Sequence, residues 1–392
     1  MNDSIGRAAL RSPLLISTRA DWASRLNRQS PLNMRQILLL LNDGPGQGGG
    51  IARYNMELLE ALQLSSDVTA VHLLCRSGDL NAPVPSKVQS FRVRPGRLAF
   101  VREAIRLSSV LPITMVFCGH LFLAPIAAFL KAWRGIGFWL QLHGIDAWNP
   151  PTRIRRAACD QADMVTAVSR FTRRRFLNWS VLKPEQVRVL PNTVAAEFSV
   201  QGSTQVAPSP LQLLTVGRLA AAEAYKGHDR VLKVLPELQR RVGAVRYRIV
   251  GQGDDMARLQ GLAEVLGVSD SVQFLPKVDN LGLHEILATT HVYVMPSTGE
   301  GFGIAFLEAM AAGVPALGFG VDGSVDPLGD GELGQIATQE SLVDSILAAS
   351  HARRGQKLSS AVHARFGQAQ FRAHVAALMA GQSASTYSGS SR

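Results

Sequence analysis

The sequence predicts an α/β protein with two doubly wound parallel-sheet domains that face each other across a cleft. The chain has 392 residues, of which 46% are hydrophobic and 18% are charged, and this is enough for two domains with separate cores. Apolar runs of five to eight residues alternate with amphipathic stretches, which is the pattern of helices packed on parallel sheets. A Ser-, Gln- and Pro-rich segment at 199–210 interrupts this alternation, as an interdomain linker does.

Short apolar runs are the strand candidates, and they fall into one set before the linker and one set after it. The first set is 36–41, 68–75, 113–118, 138–142, 164–168 and 187–190. The second set is 211–216, 247–250, 272–275, 292–295 and 315–318. A periodic segment at 357–379 predicts a C-terminal helix. A ligand cleft is expected between the carboxyl ends of the two sets of strands.

The domain boundaries follow from these elements. The first domain is predicted over 34–198 and the second over 211–380, with the linker 199–210 between them. Residues 1–33 and 381–392 are expected to be a disordered extension and a disordered tail. Because Met34 directly precedes the first convincing strand, translation could start at Met1 or at Met34.

Residues 107–130 contain no Asp, Glu, Lys or Arg, and 24 residues are enough to span a bilayer. Pro112, Gly119-His120 and Pro125 divide this segment into a short strand and a helix over 121–133, which favours a buried βα unit over a membrane span. Residues 1–33 carry five arginines and no continuous apolar core, so a secretory signal is not expected. The three cysteines form no CxxC pair, which fits a reducing cytoplasm.

The positive charge is concentrated in the first half of the chain. Residues 1–195 have 25 Lys and Arg against 12 Asp and Glu, a net charge of +13, whereas 196–392 have 16 against 18, a net charge of −2. Lipid headgroups, nucleic acid, phosphorylated substrates and a merely soluble basic surface all remain open on charge alone. Arginines at 170 and 173–175 beside Phe171 and Phe176 favour anionic lipid and predict a membrane-binding helix.

A glycine-rich loop follows the first predicted strand. Gly44, Gly46 and Gly48–Gly50 precede a helix that is predicted to start near Ile51. Such a loop can bring backbone N–H groups close to an anion, and it can equally be a plain tight turn. The nicotinamide fingerprint is not met, because the second strand ends in Cys75-Arg76 without an acidic residue.

The most informative segment is the loop 296–303, PSTGEGFG, and the helix that follows it to Gly313. Glu308 is the only ionisable residue in that helix, and an apolar helix is normally buried. Because a buried carboxylate without a partner costs several kcal/mol, Glu308 needs either a structural ion pair or ligand hydroxyls, of which a ribose diol is a good match. Gly217-Arg218 and Lys226 lie nearby in the same domain, as a cationic pair suited to a diphosphate.

These segments resemble glycosyltransferase family 4, a family of retaining enzymes with the GT-B fold of two Rossmann-like domains. The resemblance covers about residues 36–350. It is carried in the second half by Gly217-Arg218, Lys226-Gly227, Gly251-Gln252-Gly253, and Glu300 followed after seven residues by Glu308. The first half agrees through Gly48–Gly50, Leu142-His143-Gly144, Thr166–Ser169 and Leu190-Pro191-Asn192. The segment between Arg218 and Lys226 is longer than in many members, which affects the path of this loop.

The resemblance implies an acceptor-binding first domain and a second domain that binds the nucleotide sugar. Arg218 and Lys226 would hold the diphosphate, Glu308 the ribose and Glu300 the donor sugar, with backbone contacts from Phe302 and Gly303. His143 would line the sugar pocket near the reacting centre. Gly49 and Gly50 would lie by the phosphates and the acceptor, and the base pocket is expected near Lys277 and Val278.

The expected reaction is a retaining transfer of a hexose from a GDP- or UDP-sugar to a lipid-linked or polysaccharide acceptor, with mannose as the candidate sugar. His143, Glu300, Arg218 and Lys226 are the predicted catalytic residues. No Asp-x-Asp occurs, so Arg218 and Lys226 are expected to stabilise the leaving diphosphate without a metal or other cofactor. The protein is expected on the cytoplasmic membrane face, bound to anionic lipid and not to nucleic acid. The alternatives are an epimerase or hydrolase on the same fold and a non-catalytic partner subunit.

Overall fold

The computed structural model describes residues 34–79, 82–200, 209–352 and 354–381. The predicted extension at 1–33, residues 382–392 of the predicted tail and residues 201–208 of the predicted linker lie outside the described residues. The predicted domain boundaries stay a prediction. The described residues belong to one compact unit, which begins at Met34.

The first sheet has seven parallel strands in the order β3-β2-β1-β4-β5-β6-β7. The strands are β1 (Arg35–Asp43), β2 (Val68–Ser77), β3 (Val88–Phe91), β4 (Met115–Cys118), β5 (Gly137–Leu142), β6 (Met164–Ala167) and β7 (Val187–Val189). The helices of this half are α1 (Gly50–Leu64), α2 (Arg97–Val110), α3 (Ala124–Arg134), α4 (Arg153–Cys159) and α5 (Arg170–Leu177). β1, β4 and β5 are buried in their central residues, as strands covered by helices on both faces must be.

The second sheet has six parallel strands in the order β10-β9-β8-β11-β12-β13. The strands are β8 (Leu211–Val216), β9 (Val245–Val250), β10 (Val272–Leu275), β11 (Val292–Met295), β12 (Ala316–Gly318) and β13 (Gln335–Ile336). The helices of this half are α6 (His228–Val242), α7 (Met256–Val265), α8 (Asn280–Ala288), α9 (Ile304–Ala311) and α10 (Leu342–Ser350), followed by α11 (Gln356–Phe366) and α12 (Gln368–Met379). The predicted α/β class with two doubly wound parallel sheets is confirmed.

All predicted strands are present, with ends that differ by a few residues, and two strands were missed. β3 and β13 both lie at the outer edge of their sheets. β3 has only Val88 buried, and β13 has two residues, neither of them buried. Because both strands are short and little buried, their apolar pattern is too weak for sequence periodicity to reveal them.

The prediction of one helix over 357–379 was wrong, because the chain bends at Gly367 between α11 and α12. The carbonyl of Phe366 accepts hydrogen bonds from the backbone N–H of Val194 (3.0 Å) and from Thr193 Oγ1 (2.7 Å), so it is not available to continue a helix. After the bend, α12 packs on α1 of the first half, where Phe371 meets the Tyr54 ring edge-on at 5.6 Å.

Each sheet has a point at which its strand order reverses, between β1 and β4 in the first and between β8 and β11 in the second. In doubly wound sheets, ligands bind at the carboxyl ends of the strands beside such a point. The loops that leave these ends are the glycine-rich loop 44–49 and Gly119-His120 in the first sheet, and Gly217-Arg218 and 296–303 in the second.

Candidate functional site

The loop 296–303 follows β11, and one buried aspartate accepts hydrogen bonds from two of its residues. Asp322 has no exposed surface, and its Oδ2 accepts hydrogen bonds from Ser297 Oγ (2.8 Å) and from the backbone N–H of Glu300 (2.7 Å). Its Oδ1 accepts from Ser324 through the backbone N–H (2.9 Å) and Oγ (2.6 Å). Burial raises the pKa of Asp322, and these hydrogen bonds oppose the rise. Asp322 therefore fixes the backbone orientation at Glu300. This aspartate was not identified from the sequence.

Glu300 and Lys226 lie side by side and form an ion pair through Oε1 and Nζ. Both side chains are only 13% exposed, and Glu223 Oε2 lies 3.7 Å from the same Nζ. Burial lowers the pKa of Lys226, but the neighbouring Glu300 and Glu223 outweigh burial, so the net shift is upward and the ammonium group stays charged. The structure therefore brings together a predicted phosphate-binding cation and a predicted sugar-binding carboxylate.

Arg218 follows β8 and extends into solvent, where its side chain is 79% exposed. It forms an ion pair with Glu223, so this one glutamate links Arg218 to Lys226. Lys226 ends a short 3₁₀ segment, and the following Gly227 has φ 82°. A Cβ at Gly227 would lie 2.5 Å from the carbonyl oxygen of Pro296, so only glycine lets this turn approach the 296–303 loop.

Glu308 is 8% exposed on α9, and it forms an ion pair with Arg53 of α1. The partner of this carboxylate therefore comes from the first half of the chain. Arg53 Nη2 also donates to Asn280 Oδ1 (3.1 Å), and its guanidinium lies 5.5 Å from the centre of the Phe198 ring. Arg53 was not identified from the sequence, although it follows the glycine-rich loop by three residues.

The glycine-rich loop of the first half faces the second half of the chain. A Cβ at Gly48 would overlap Nζ of Lys277, and one at Gly50 would lie 3.4 Å from Cδ1 of Ile304, the first residue of α9. Gly49 has φ 112°, and no heavy atom lies within 4 Å of the position its Cβ would take. The loop thus borders open space on one side and the predicted base-binding residue Lys277 on the other. Val278 follows in the same segment, and a Cβ at Gly282 would lie 3.2 Å from the Cβ of Val278.

His143 follows β5 and points toward β4, where its Nε2 lies 3.0 Å from the carbonyl oxygen of Gly119. Nε2 therefore carries the proton and donates it to this bond. Burial, with a smaller effect of His120, lowers the pKa of His143 to about 3, so the ring is neutral at physiological pH. The Tyr54 ring meets it edge-on at 5.1 Å.

His143-Gly144 and Gly301 form a close contact between the loops of the two sheets. A Cβ at Gly144, where φ is 148°, would lie 2.7 Å from Cα of Gly301, and a Cβ at Gly301 would overlap the carbonyl oxygen of His143. Gly303 has φ 92°, and a Cβ there would lie 2.6 Å from the Phe306 ring. Phe302 is 2% exposed and packs against Phe366 at 5.9 Å, so it can offer a ligand only its backbone.

The segment 170–176, predicted to bind a membrane, uses several of its arginine and aromatic side chains within the protein. Phe176 has no exposed surface, and Arg170 of α5 bonds through Nε and Nη2 to Asp326 (2.6 Å) and Asp330 (2.7 Å) of the second half. Arg173 donates to the backbone carbonyls of Val187 and Pro184. These side chains link parts of the protein, a use that charge and periodicity cannot reveal.

The site as a whole combines cations with polar acceptors. Arg53, Arg218, Lys226 and Lys277 supply positive charge, and Glu300 and Glu308 supply carboxylate oxygens that can accept from hydroxyl groups. Within the described ranges, no three His, Cys, Asp or Glu side chains are grouped in a way that would hold a metal ion. The arrangement can bind a diphosphate beside a polyhydroxylated group.

Two family models match the chain, one on each half. "Glycosyltransferase Family 4" matches residues 48–198, and "Glycosyl transferases group 1" matches residues 201–360. The first match covers the first sheet except β1, and the second match covers the second sheet.

Among curated proteins, the chain is 30% identical over 345 residues to the GDP-mannose-dependent alpha-(1-6)-phosphatidylinositol monomannoside mannosyltransferase of Mycobacterium tuberculosis, covering 79% of this chain and 86% of that protein. It is 32% identical over 166 residues to the phosphatidyl-myo-inositol mannosyltransferase of Mycobacterium leprae, with 41% of this chain and 43% of that protein covered.

Solved structures share the fold at low identity. The Anabaena protein HepE in complex with UDP superimposes with a TM-score of 0.70 at 17% identity, covering 89% of this chain and all of that chain. The sucrose-phosphate synthase of Thermosynechococcus elongatus superimposes with a TM-score of 0.69 at 18% identity, covering 88% of this chain and 98% of that chain.

Proposed function

The chain belongs to family 4 of the glycosyltransferases, and we propose that it transfers mannose from GDP-mannose to a lipid-linked acceptor with retention of the anomeric configuration. The donor and the acceptor class are those in the name of the Mycobacterium tuberculosis relative, which matches 79% of this chain. One observation carries the proposal: the Lys226–Glu300 pair lies at the switch point of the second sheet, where a diphosphate and a sugar would meet.

The pair suggests how the donor binds. The diphosphate takes the place of Glu300 beside Lys226, and Arg218 turns from Glu223 toward it, which its mostly exposed side chain allows. Glu300 is then released to accept hydrogen bonds from the sugar hydroxyls, and Glu308 does the same for the ribose. Gly49 and Gly50 lie by the phosphates, and Lys277 and Val278 border the base.

Sugar departure builds negative charge on the leaving diphosphate, and Lys226 and Arg218 are the groups that stabilise it. The acceptor hydroxyl attacks from the face that the diphosphate leaves, and a phosphate oxygen takes its proton. This step needs no protein base, which agrees with the lowering of the pKa of His143 to about 3 by burial, because a ring with so low a pKa is a weak base. Neither a metal nor another cofactor is required in this proposal.

The proposed location is the cytoplasmic membrane face, and the contact surface is formed by α3 and α4. Phe129, Trp133 and Ile154 are 49%, 50% and 75% exposed there. Arg134, Arg153 and Arg156 are exposed on the same two helices. Exposed apolar side chains among arginines fit anionic lipid, with about 1 kcal/mol for each basic side chain near the surface. Along the described residues, no helix has both the length and the apolar character to cross a bilayer.

Membrane contact is tested by sedimentation with anionic and neutral vesicles at low and high salt. The parent protein should bind anionic vesicles, and this binding should weaken as the salt concentration rises. Trp133→Ser should weaken this binding, whereas Leu98→Ser, which removes a 74% exposed leucine from α2, should not. Equal binding to both vesicle types would contradict the proposal.

The activity is tested with GDP-mannose, UDP-glucose and UDP-N-acetylglucosamine in the presence and absence of phosphatidylinositol vesicles. A mannosylated lipid that forms only with GDP-mannose, with the α configuration by NMR, supports the proposal. Lys226→Gln should abolish its formation, whereas Lys233→Gln, at an exposed lysine of α6, should not. Sugar release at the same rate without lipid would favour the hydrolase alternative.

A further inference from the structure

Arg53 belongs to the first half of the chain, and its side chain contacts residues of the second half beside the proposed donor site. It lies in the first turn of α1, directly after the glycine-rich loop, and its side chain is 30% exposed. Its guanidinium pairs with Glu308 of α9 and donates to Asn280 at the start of α8. In the described part of the chain, no other residue of the first half forms an ion pair with the carboxylates of the 300–308 segment.

Glu308 depends on this partner. Its side chain is 10% exposed on a helix of otherwise apolar residues, and a carboxylate in such surroundings requires a counter-charge or several hydrogen bonds. The ion pair uses Oε1, which leaves Oε2 and its lone pairs for a ligand. Arg53 therefore balances the charge of Glu308 without occupying the whole carboxylate.

Arg53 is itself held in place from two sides. Nη2 donates to Asn280 Oδ1 at 3.1 Å, and the guanidinium lies over the Phe198 ring at 5.5 Å from its centre. Asn280 in turn donates to Glu197. An arginine bound at one end of its planar group and stacked on an aromatic ring keeps a fixed orientation, which a lysine could not reproduce.

We propose that Arg53 is a positioning residue for donor binding: it orients the Glu308 carboxylate so that its second oxygen accepts hydrogen bonds from the ribose diol. The inference rests on the proposed function, because it takes a nucleoside diphosphate as the ligand. The inference adds that a residue of the first half, on α1, contributes to the affinity for the nucleotide. The ribose is then bound well only when α1 and α9 are close enough for the pair to form.

The first test measures binding of GDP and UDP by isothermal titration. Arg53→Gln keeps a donor of similar size but removes the charge, and we expect it to weaken binding of the better nucleotide by roughly tenfold or more. Arg53→Lys should be intermediate, since it restores the charge without the fixed fork. Arg102→Gln, at an exposed arginine of α2, is the matched control and should bind like the parent.

The second test separates positioning from a structural role by using a nucleotide without the diol. The parent should bind the 2′,3′-dideoxy form of the same nucleotide more weakly than the normal form. Arg53→Gln should bind the dideoxy form as well as the parent does. Arg53→Gln and Glu308→Gln should also be non-additive, because both remove the same contact to the ribose.

The outcomes distinguish the two proposals. An equal loss of both nucleotide forms in Arg53→Gln would assign Arg53 a structural role and overturn the inference, as would tighter binding, which would mean that Arg53 blocks the ribose. Binding of neither GDP nor UDP by the parent would overturn the proposed function and this inference with it. A melting temperature for each variant shows whether it is folded, and if Arg53→Gln does not fold, Arg53→Lys carries the same comparison.

Discussion

Asp146 allows a test of the electrostatics beside His143 that needs no substrate. It lies in the 3₁₀ turn Ile145–Ala147 after β5, close to His143. Its Oδ2 is buried and has no hydrogen-bond partner among the described residues, and Nε2 of His120 is 3.8 Å away, beyond hydrogen-bonding distance. Burial raises the pKa of Asp146 from its ordinary value of 3.8 to about 7, and hydrogen bonds from backbone N–H groups reduce the rise only in part.

His120 cannot compensate for the charge of Asp146. Its Nδ1 accepts the backbone N–H of Phe122 at 3.2 Å, and burial lowers the pKa of its ring to about 4. The imidazole is therefore neutral at the pH at which Asp146 ionises. Each unit of pKa shift corresponds to about 1.4 kcal/mol, so ionised Asp146 reduces the stability by up to about 4 kcal/mol relative to its protonated form.

The sign follows from the upward shift. The contribution of protonated Asp146 is fully present below about pH 4, decreases as the pH rises and is lost above about pH 7. Asp146→Asn keeps a neutral side chain at every pH. The variant should therefore gain stability over the parent as the pH rises from 5 to 8.

Melting temperatures at pH 5, 6, 7 and 8 measure this gain. Asp270→Asn, at an exposed aspartate, is the control for removal of a carboxylate. We expect the difference between Asp146→Asn and the parent to grow by several degrees over this range, and the control difference to stay small. A constant difference, or a loss of stability in Asp146→Asn at pH 8, would refute the reasoning and would mean that the carboxylate has an ionic partner.

Three further predictions concern charged side chains and the metal requirement. Glu300→Gln should bind GDP or UDP as tightly as the parent or slightly better, because Lys226 loses a competing carboxylate. Its initial rate of transfer should nevertheless fall at least a hundredfold. A loss of nucleotide affinity would contradict this prediction. Turnover should persist in excess EDTA, and recovery only on addition of Mg²⁺ or Mn²⁺ would contradict it. Arg170→Gln should lower the unfolding free energy by about 2 kcal/mol in denaturant titrations, since it removes the charge-assisted hydrogen bonds of the guanidinium to Asp326 and Asp330; an unchanged midpoint would count against it.

Much of the fold could be predicted because apolar runs mark strands that are covered on both faces. The candidate site was predictable for a different reason: Glu308 is conspicuous as a charge within an apolar helix, Glu300 lies in a glycine-rich loop after β11, and Lys226 directly precedes Gly227 in the connection after β8. Such positions are abnormal for their local surroundings. The sequence therefore indicates that these residues have partners.

The identity of those partners could not be predicted. Arg53 is one basic residue on an amphipathic helix, and Asp322 is one aspartate in a turn, so neither conflicts with its local pattern. Their roles arise from contacts 255 and 22 residues away along the chain, with Glu308 and Glu300. For the same reason Arg170 was taken for a lipid-facing residue, because its carboxylate partners lie in the other half.

In the site, each of the three principal cations is paired with a carboxylate: Lys226 with Glu300, Arg218 with Glu223 and Arg53 with Glu308. A ligand must therefore compensate for the pairs that it breaks. Inorganic diphosphate can pair with the cations, but it leaves buried carboxylates without partners. A free sugar offers hydroxyl groups to the carboxylates, but it carries no negative charge to pair with the cations. A nucleoside diphosphate sugar carries both kinds of group on one molecule, so it can supply a new partner to both Lys226 and Glu300 while the Arg53–Glu308 pair stays intact. Because unpaired buried charge is costly, we expect this arrangement to bind the intact donor more tightly than either of its fragments.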